Sequence, residues 1–254
     1  MIEVFLLSVL QGIAEFLPIS SSGHLVLGKS LLGMRELGMR IDIFLHVGTL
    51  VAIGFFYWKI IWRILSKLEW AYMLKVIVSA VPAGIVGVLF KDDLEAAFAS
   101  PRMVGFALMF TGVVLTLTKF LPKGDRDVSF GRALVMGVAQ AVAILPGVSR
   151  SGMTLAAARG VKIDAEKSAE FSFLMSAPPI AGVALLEVLK SLKAAEGAGA
   201  TEEVSWGLCL IGAIVAAVVG YFSLKVLLKS LKSQWFWLFG PYCLLAGIVT
   251  VICC

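Results

Sequence analysis

Two short polar segments interrupt an otherwise apolar sequence, and the first combines a carboxylate, hydroxyls and an imidazole. It reads QGIAEFLPISSSGHL from Gln11 onward. Gln11 and Glu15 are four residues apart and share one face of a helix, which Pro18 then ends. The hydroxyls that follow, just before His24, belong to Ser20, Ser21 and Ser22. Because a carboxylate in an apolar run is costly, this set predicts a chemical site; the alternative is a structural ion pair beside a serine-capped helix.

The second segment surrounds an arginine with hydroxyls and glycines. It reads AILPGVSRSGMT from Ala143, with Arg150 at its centre. A guanidinium matches phosphate oxygens with two parallel N–H donors, and glycines let backbone N–H groups approach an anion. The predicted supporting residues are Ser149, Ser151, Gly152 and Thr154. The segment therefore predicts a phosphate cradle, and the alternative is a kinked helix whose Arg150 reaches a membrane interface.

Together the two segments suit attack on phosphorus. Arg150 would neutralise phosphate charge, while Glu15 would act as a base or hold a metal ion. Ser21 or His24 would attack or be activated, and attack by water is equally allowed. Nothing in the sequence suits hydride transfer or a redox centre.

The composition indicates that these segments sit in a membrane protein. Of 254 residues, 59% are hydrophobic and 15% are charged, against about 25% charged in soluble domains. The mean hydropathy is +0.96. These values exclude a disordered chain and a water-soluble monomer. The net charge of +5 comes from short basic blocks between apolar runs, with no basic stripe interleaved with aromatics, so nucleic acid is not expected as a partner.

The charge-free stretches predict six transmembrane helices, at residues 43–58, 76–90, 103–118, 171–186, 204–224 and 235–254. Two further apolar regions, 2–27 and 133–158, are broken by proline, glycine and polar residues, and we predict them to be re-entrant helical hairpins. A kinked spanning helix is the alternative. Basic connections at 59–75, 119–132 and 225–232 should be cytoplasmic, and acidic ones at 91–102 and 187–203 should be outside. The basic and acidic connections alternate between the two sides only if each broken region returns to the side that it entered. The first hairpin would then lie on the outer side and the second on the inner side.

An internal repeat supports the same arrangement. At an offset of 129 residues several identities recur: Gln11 with Gln140, Ala14 with Ala143, Ser20 with Ser149, Ser22 with Ser151, and Gly23 with Gly152. Each half would contain one hairpin and three spans, so the halves would insert with opposite topology. The predicted fold is therefore an all-α integral membrane protein, a single domain built from inverted repeat halves at approximately 1–120 and 130–254.

The motifs Gln11-x-x-x-Glu15, FLPISSSGH and PGVSRSGMT closely resemble the undecaprenyl pyrophosphate phosphatase family, the bacitracin-resistance proteins, over nearly the whole chain. The resemblance implies an enzyme of the bacterial cell membrane, with its site facing outward, that converts undecaprenyl diphosphate into the monophosphate lipid carrier for cell-wall synthesis. It implies Ser21 as nucleophile or activating hydroxyl, His24 as an essential imidazole and Arg150 as the group that grips the diphosphate. It also implies a divalent cation, Mg²⁺ or Ca²⁺, with Glu15 as its candidate ligand. Many relatives have Glu where this chain has Gln11. Because its amide is neutral, Gln11 is a poorer metal ligand than that Glu. Whether the protein forms a homodimer is left open.

Two other functions compete with this one. A polyprenyl-phosphate flippase or secondary transporter would share inverted repeats and broken helices, but a carrier needs no nucleophile such as Ser21. A type-2 phosphatidic acid phosphatase would also carry Ser-Gly-His, but its further arginine and histidine elements are absent from this sequence. His46, four residues after Asp42, is expected to be a polar residue packed near the site, with contact to the site as the alternative.

Overall fold

The computed structural model describes residues 1–31, 39–98, 100–195 and 205–253. Within these ranges the regular structure is helical, apart from one isolated β-bridge between Arg126 and Ile163. The α-helices are α1 Ile2–Ala14, α2 Ser21–Leu31, α3 Met39–Phe56, α4 Trp58–Ser66, α5 Trp70–Leu89, α6 Lys91–Phe98, α7 Pro101–Leu117, α8 Phe130–Val142, α9 Arg150–Gly160, α10 Ala165–Ala195, α11 Trp206–Ser233 and α12 Phe239–Cys253. Single 3-10 turns at Thr118–Phe120 and Phe236–Leu238 adjoin α7 and α12.

Within the described residues, four helical segments are long and apolar enough to cross a membrane. They are Trp70–Leu89, Pro101–Phe120, Trp206–Ser233 and Phe236–Cys253, and they cover four of the six predicted spans. Residues 204 and 254, at the ends of two of those predictions, lie outside the described part, as does much of the acidic connection 187–203. The protein is an all-helical, multi-pass membrane protein.

The other two predicted spans have a different structure. The span at 43–58 is interrupted, because Tyr57 is not helical and the axes of α3 and α4 meet at 73°. The two helices count as a span only when taken as one bent pair. The span at 171–186 lies in α10, which is not among the candidate spans. Ser172 and Ser176 on α10 are buried in the protein, so this part of the helix packs against protein rather than lipid. The number six stays a prediction.

Both broken regions form a helix, a turn and a second helix. The first consists of α1 and α2, and the second of α8 and α9. In each pair the two helices pack against one another. The positions of the breaks agree with those expected from the sequence, whereas the return of each hairpin to the side that it entered stays a prediction.

Apolar side chains cover the outside of the helix assembly as well as its interior. Large exposed ones include Phe55, Val88 and Ile252, at 71%, 80% and 77% exposure. Lipid tails solvate such side chains, so a membrane protein does not need to bury them. The interior contains the edge-to-face pair Phe16 and Phe173, with ring centroids 5.5 Å apart. Phe16 follows Glu15 directly, so this packing fixes the base of the first turn.

Candidate functional site

The first turn places Glu15 at the end of α1 and Ser21 at the start of α2. The backbone N–H of Glu15 still donates to the carbonyl of Gln11, so its side chain continues the face of α1. The chain then turns through Pro18 to Ser20, which has a positive φ of 71°. Pro18 has no N–H to continue the helical hydrogen bonds, and the left-handed Ser20 reverses the chain, so α2 begins close to the point where α1 ends.

The second turn leads from α8 to Arg150, the first residue of α9. Gly147 has a φ of +93°, which side-chain-bearing residues rarely adopt. A Cβ at this position would also lie 2.8 Å from the Cβ of Ala107 and close to the Val104 carbonyl, both on α7. Ser149 then caps α9 by accepting a hydrogen bond from the N–H of Gly152. Arg150 is therefore presented at a helix start held against α7.

The two turns contact each other through corresponding residues of the 129-residue repeat. A Cβ at Gly23 would lie 3.2 Å from the Cα of Gly147, and one at Gly152 would lie 3.3 Å from the Cβ of Pro18. Gly23 corresponds to Gly152, and Pro18 to Gly147, so these two contacts are equivalent. The N–H of Gly147 donates to the Ser22 hydroxyl over 3.4 Å. Small residues thus allow the two turns to meet tip to tip.

Glu15, Ser21 and Arg150 converge at this contact. The Arg150 Nη2 donates to Glu15 Oε1 over 2.5 Å, and the Ser21 hydroxyl donates to Glu15 Oε2 over 2.6 Å. Gln11 Nε2 donates to the same Oε2 over 3.1 Å. The second guanidinium nitrogen, Arg150 Nη1, is buried and has no partner among the described residues. The cluster therefore holds a hydroxyl on a carboxylate, beside a cation whose Nη1 N–H groups have no partner among the described residues.

His24 is close in sequence but is bonded elsewhere. Its Nδ1 lies 2.9 Å from the Ser20 carbonyl, and its Nε2 lies 2.7 Å from the Tyr242 hydroxyl on α12. It makes no hydrogen bond to Ser21 or Glu15. Ser21, and not His24, is thus the group placed directly on the carboxylate.

The remaining predicted residues hold the turns together. Ser20 and Ser149 accept from the N–H groups of Gly23 and Gly152, two equivalent positions of the repeat. The Ser151 hydroxyl donates to the carbonyl of Leu17 over 3.3 Å. Their direct contact with a substrate stays a prediction.

Thr154 is joined to α10 rather than to the cluster. Its hydroxyl donates to the Arg150 carbonyl and shares a 2.6 Å hydrogen bond with Ser172. In this geometry it positions α9, and a role in phosphate binding stays a prediction.

Comparison with known proteins assigns the chain to a family. A protein-family model described as bacitracin resistance protein BacA matches residues 4–249. The chain belongs to this family. Relatives named undecaprenyl-diphosphatase include one from Halothermothrix orenii, 40% identical over 98% of this chain and 96% of its own length. Others are from Methanosphaera stadtmanae, 37% identical over 99% and 97%, and Desulforapulum autotrophicum, 37% identical over 97% and 95%.

Two residues at the site of this family member, Thr111 and Tyr242, were not expected from the motifs. Thr111 on α7 accepts a hydrogen bond from the N–H of Ser149 and donates to the Gly147 carbonyl, so it clamps the second turn. His46, which was expected near the site, places its Nε2 3.9 Å from Glu15 Oε2. Tyr242 binds His24. A polar residue within an apolar helix was the available signal for Thr111, whereas nothing in the local sequence identifies Tyr242.

The described side chains alone do not complete a divalent cation site. Among the described residues, no group of three or more His, Cys, Asp and Glu side chains is arranged to hold a metal ion. Glu15 is already paired with Arg150, and Gln11 turns its N–H toward Glu15 rather than its oxygen. Ca²⁺ takes six to eight oxygen ligands, whereas Mg²⁺ is usually held by one or two carboxylates together with waters and substrate phosphates. Of the described residues, Glu15 alone supplies a carboxylate here, and a divalent cation stays a prediction.

Proposed function

We propose that this chain is an undecaprenyl-diphosphatase, which removes the terminal phosphate of undecaprenyl diphosphate and leaves the monophosphate lipid. Membership of a family whose relatives carry that name supports the proposal. The observation that supports it best is the cluster of Glu15, Ser21 and Arg150. An unpaired buried N–H costs free energy, and an oxygen of a bound phosphate would satisfy Arg150 Nη1.

In the proposed reaction Ser21 is the nucleophile. Glu15 Oε2 accepts the proton of the Ser21 hydroxyl as Oγ bonds to the terminal phosphorus. The bond between that phosphorus and the bridging oxygen breaks, and the lipid monophosphate leaves as an anion stabilised by Arg150. Water then attacks the phosphoserine, Oγ takes its proton back from Glu15, and inorganic phosphate is released.

A divalent cation stays a prediction from the family resemblance. Because the described side chains alone do not complete a cation site, no step is derived through it. Arg150 and the N–H groups at the start of α9 supply the positive charge in the proposed site.

The proposed setting is the bacterial cytoplasmic membrane, with the site open to the outer side and two inverted repeat halves. The alternation of basic and acidic connections supports this orientation. The equivalent contacts of Gly23 and Gly152 with the opposite turns support the repeat. A diphosphate lipid could then enter from the outer leaflet with its headgroup at the two turns.

Phosphate release from undecaprenyl diphosphate by the purified protein in detergent tests the function. We expect multiple turnovers by the wild type and a loss of about 100-fold or more in Ser21→Ala. Ser233→Ala is a matched control, because Ser233 is exposed and donates only to Lys229 of its own helix. A flippase would instead move lipid phosphate across vesicles with no phosphate release, and that result would refute the proposal.

A further inference from the structure

Tyr242 is joined to His24 by a hydrogen bond and by ring packing. Its hydroxyl lies 2.7 Å from His24 Nε2. The two rings stack with centroids 5.7 Å apart and planes 13° from parallel. Tyr242 lies on α12, 218 positions along the chain from His24, so the folded protein brings two distant segments together for this contact.

The hydrogen bonds of His24 fix which nitrogen carries the proton. A carbonyl oxygen can only accept, so Nδ1 carries the hydrogen that is donated to Ser20. In the neutral ring Nε2 then has a lone pair, which accepts the Tyr242 hydroxyl proton. Both ring nitrogens are therefore hydrogen-bonded, Nδ1 to the first turn and Nε2 to α12.

The Tyr242 side chain is more exposed than the imidazole that it contacts. His24 is 8% exposed, whereas Tyr242 is 47% exposed. Ser21 and His24 are three residues apart at the start of α2, on one helix face. Because the Nε2 lone pair is occupied by the Tyr242 hydroxyl, a proton can reach Nε2 through that hydroxyl, which can donate to Nε2 and accept from water at the same time.

We propose that Tyr242 is a positioning residue for the reaction, acting through His24; this inference rests on the proposed function. Its hydroxyl holds His24 in the form protonated at Nδ1 and passes a proton to Nε2. When water attacks the phosphoserine, the water proton moves to the Tyr242 oxygen as the phenol proton moves to Nε2. The bond between phosphorus and the Ser21 oxygen breaks, and the imidazolium later gives its proton to solvent.

Tyr242→Phe removes only the hydroxyl and keeps the stacked ring. We expect kcat for phosphate release to fall on the order of 10- to 100-fold, part of what general acid–base catalysis contributes. We expect KM to change less than about threefold, because Arg150 and Glu15 are untouched. Tyr221→Phe is the matched control, since Tyr221 packs against Phe56 and Phe222 and not against His24.

Nitrogen-15 NMR of the histidine rings tests the contact independently of turnover. The chain has two histidines, so His46→Gln assigns their signals. We expect Tyr242→Phe to shift the Nε2 signal of His24 and to leave His46 unchanged. Wild-type kcat in Tyr242→Phe, or an unshifted His24 signal, would overturn the inference. Absence of phosphate release by the wild type would instead overturn the proposed function.

Discussion

Replacing Arg150 with lysine tests the phosphate-binding role of the guanidinium without removing its charge. In the wild type Nη2 binds Glu15 Oε1 at 2.5 Å, and Nη1 is buried without a partner among the described residues. A lysine has one ammonium group, which can pair with Glu15 or bind phosphate but cannot reproduce the planar fork that does both. The substitution therefore removes about one charge-assisted hydrogen bond to the substrate.

The magnitude follows from that one bond. A hydrogen bond to a charged group contributes roughly 1.5–3 kcal/mol, and each 1.36 kcal/mol is a tenfold change in rate, so kcat/KM should fall about 10- to 150-fold in Arg150→Lys. Phosphate release at subsaturating undecaprenyl diphosphate measures this value directly. Folding should be retained, because the ammonium group still neutralises buried Glu15.

Arg159→Lys provides the matched control on the same helix. The Arg159 guanidinium donates to the Leu121 carbonyl from Nε and Nη2, away from the two turns. We expect Arg159→Lys to keep kcat/KM within about threefold of the wild type, as an arginine outside the site should. Equal activity of Arg150→Lys and Arg159→Lys would refute the argument that Nη1 binds the diphosphate.

Three further substitutions test other parts of the site. Ser21→Ala should prevent formation of a phosphoenzyme, since it removes the proposed nucleophile; a trapped intermediate in this variant, mapped by mass spectrometry, would rule Ser21 out. Gly147→Ala should lower the free energy of unfolding by about 2 kcal/mol or more, because Gly147 has a φ of +93° and lies against α7. Gly131→Ala should not lower it, because there is open space where its Cβ would lie. Thermal unfolding in detergent compares the two variants. Gln11→Glu adds a second carboxylate beside buried Glu15, so phosphate release should become dependent on added Mg²⁺ or Ca²⁺. Phosphate release by this variant in the presence of a chelator would contradict the prediction.

The local breaks in the chain could be predicted because proline, glycine and charge determine them over short distances. Pro18 stops a helix through its own covalent geometry, and the run around Gly147 marks a second turn. The pairing of these turns was predicted from their complementary residues and from the repeat. The structure brings Glu15 and Arg150 together, as that pairing predicted.

Contacts made by helix packing could not be predicted from one sequence. Tyr242 reaches His24 because α12 lies tightly against α7, where a Cβ at Gly247 would come within 2.6 Å of the Gly105 carbonyl. Such close backbone approach depends on which small residues face each other in three dimensions. The bend at Tyr57 was also missed, because the residues around it are as apolar as those of an unbroken span.

The roles of Arg150 and Ser21 can be tested by a structure with a non-hydrolysable diphosphate analogue, in which a methylene group replaces the bridging oxygen. We expect a terminal phosphate bound to Arg150 Nη1, with Ser21 Oγ about 3–3.5 Å from its phosphorus and opposite the bridging carbon. A phosphate bound elsewhere, such as the cavity lined by Lys123, Arg159 and Lys232 at the far end of α9, would contradict it.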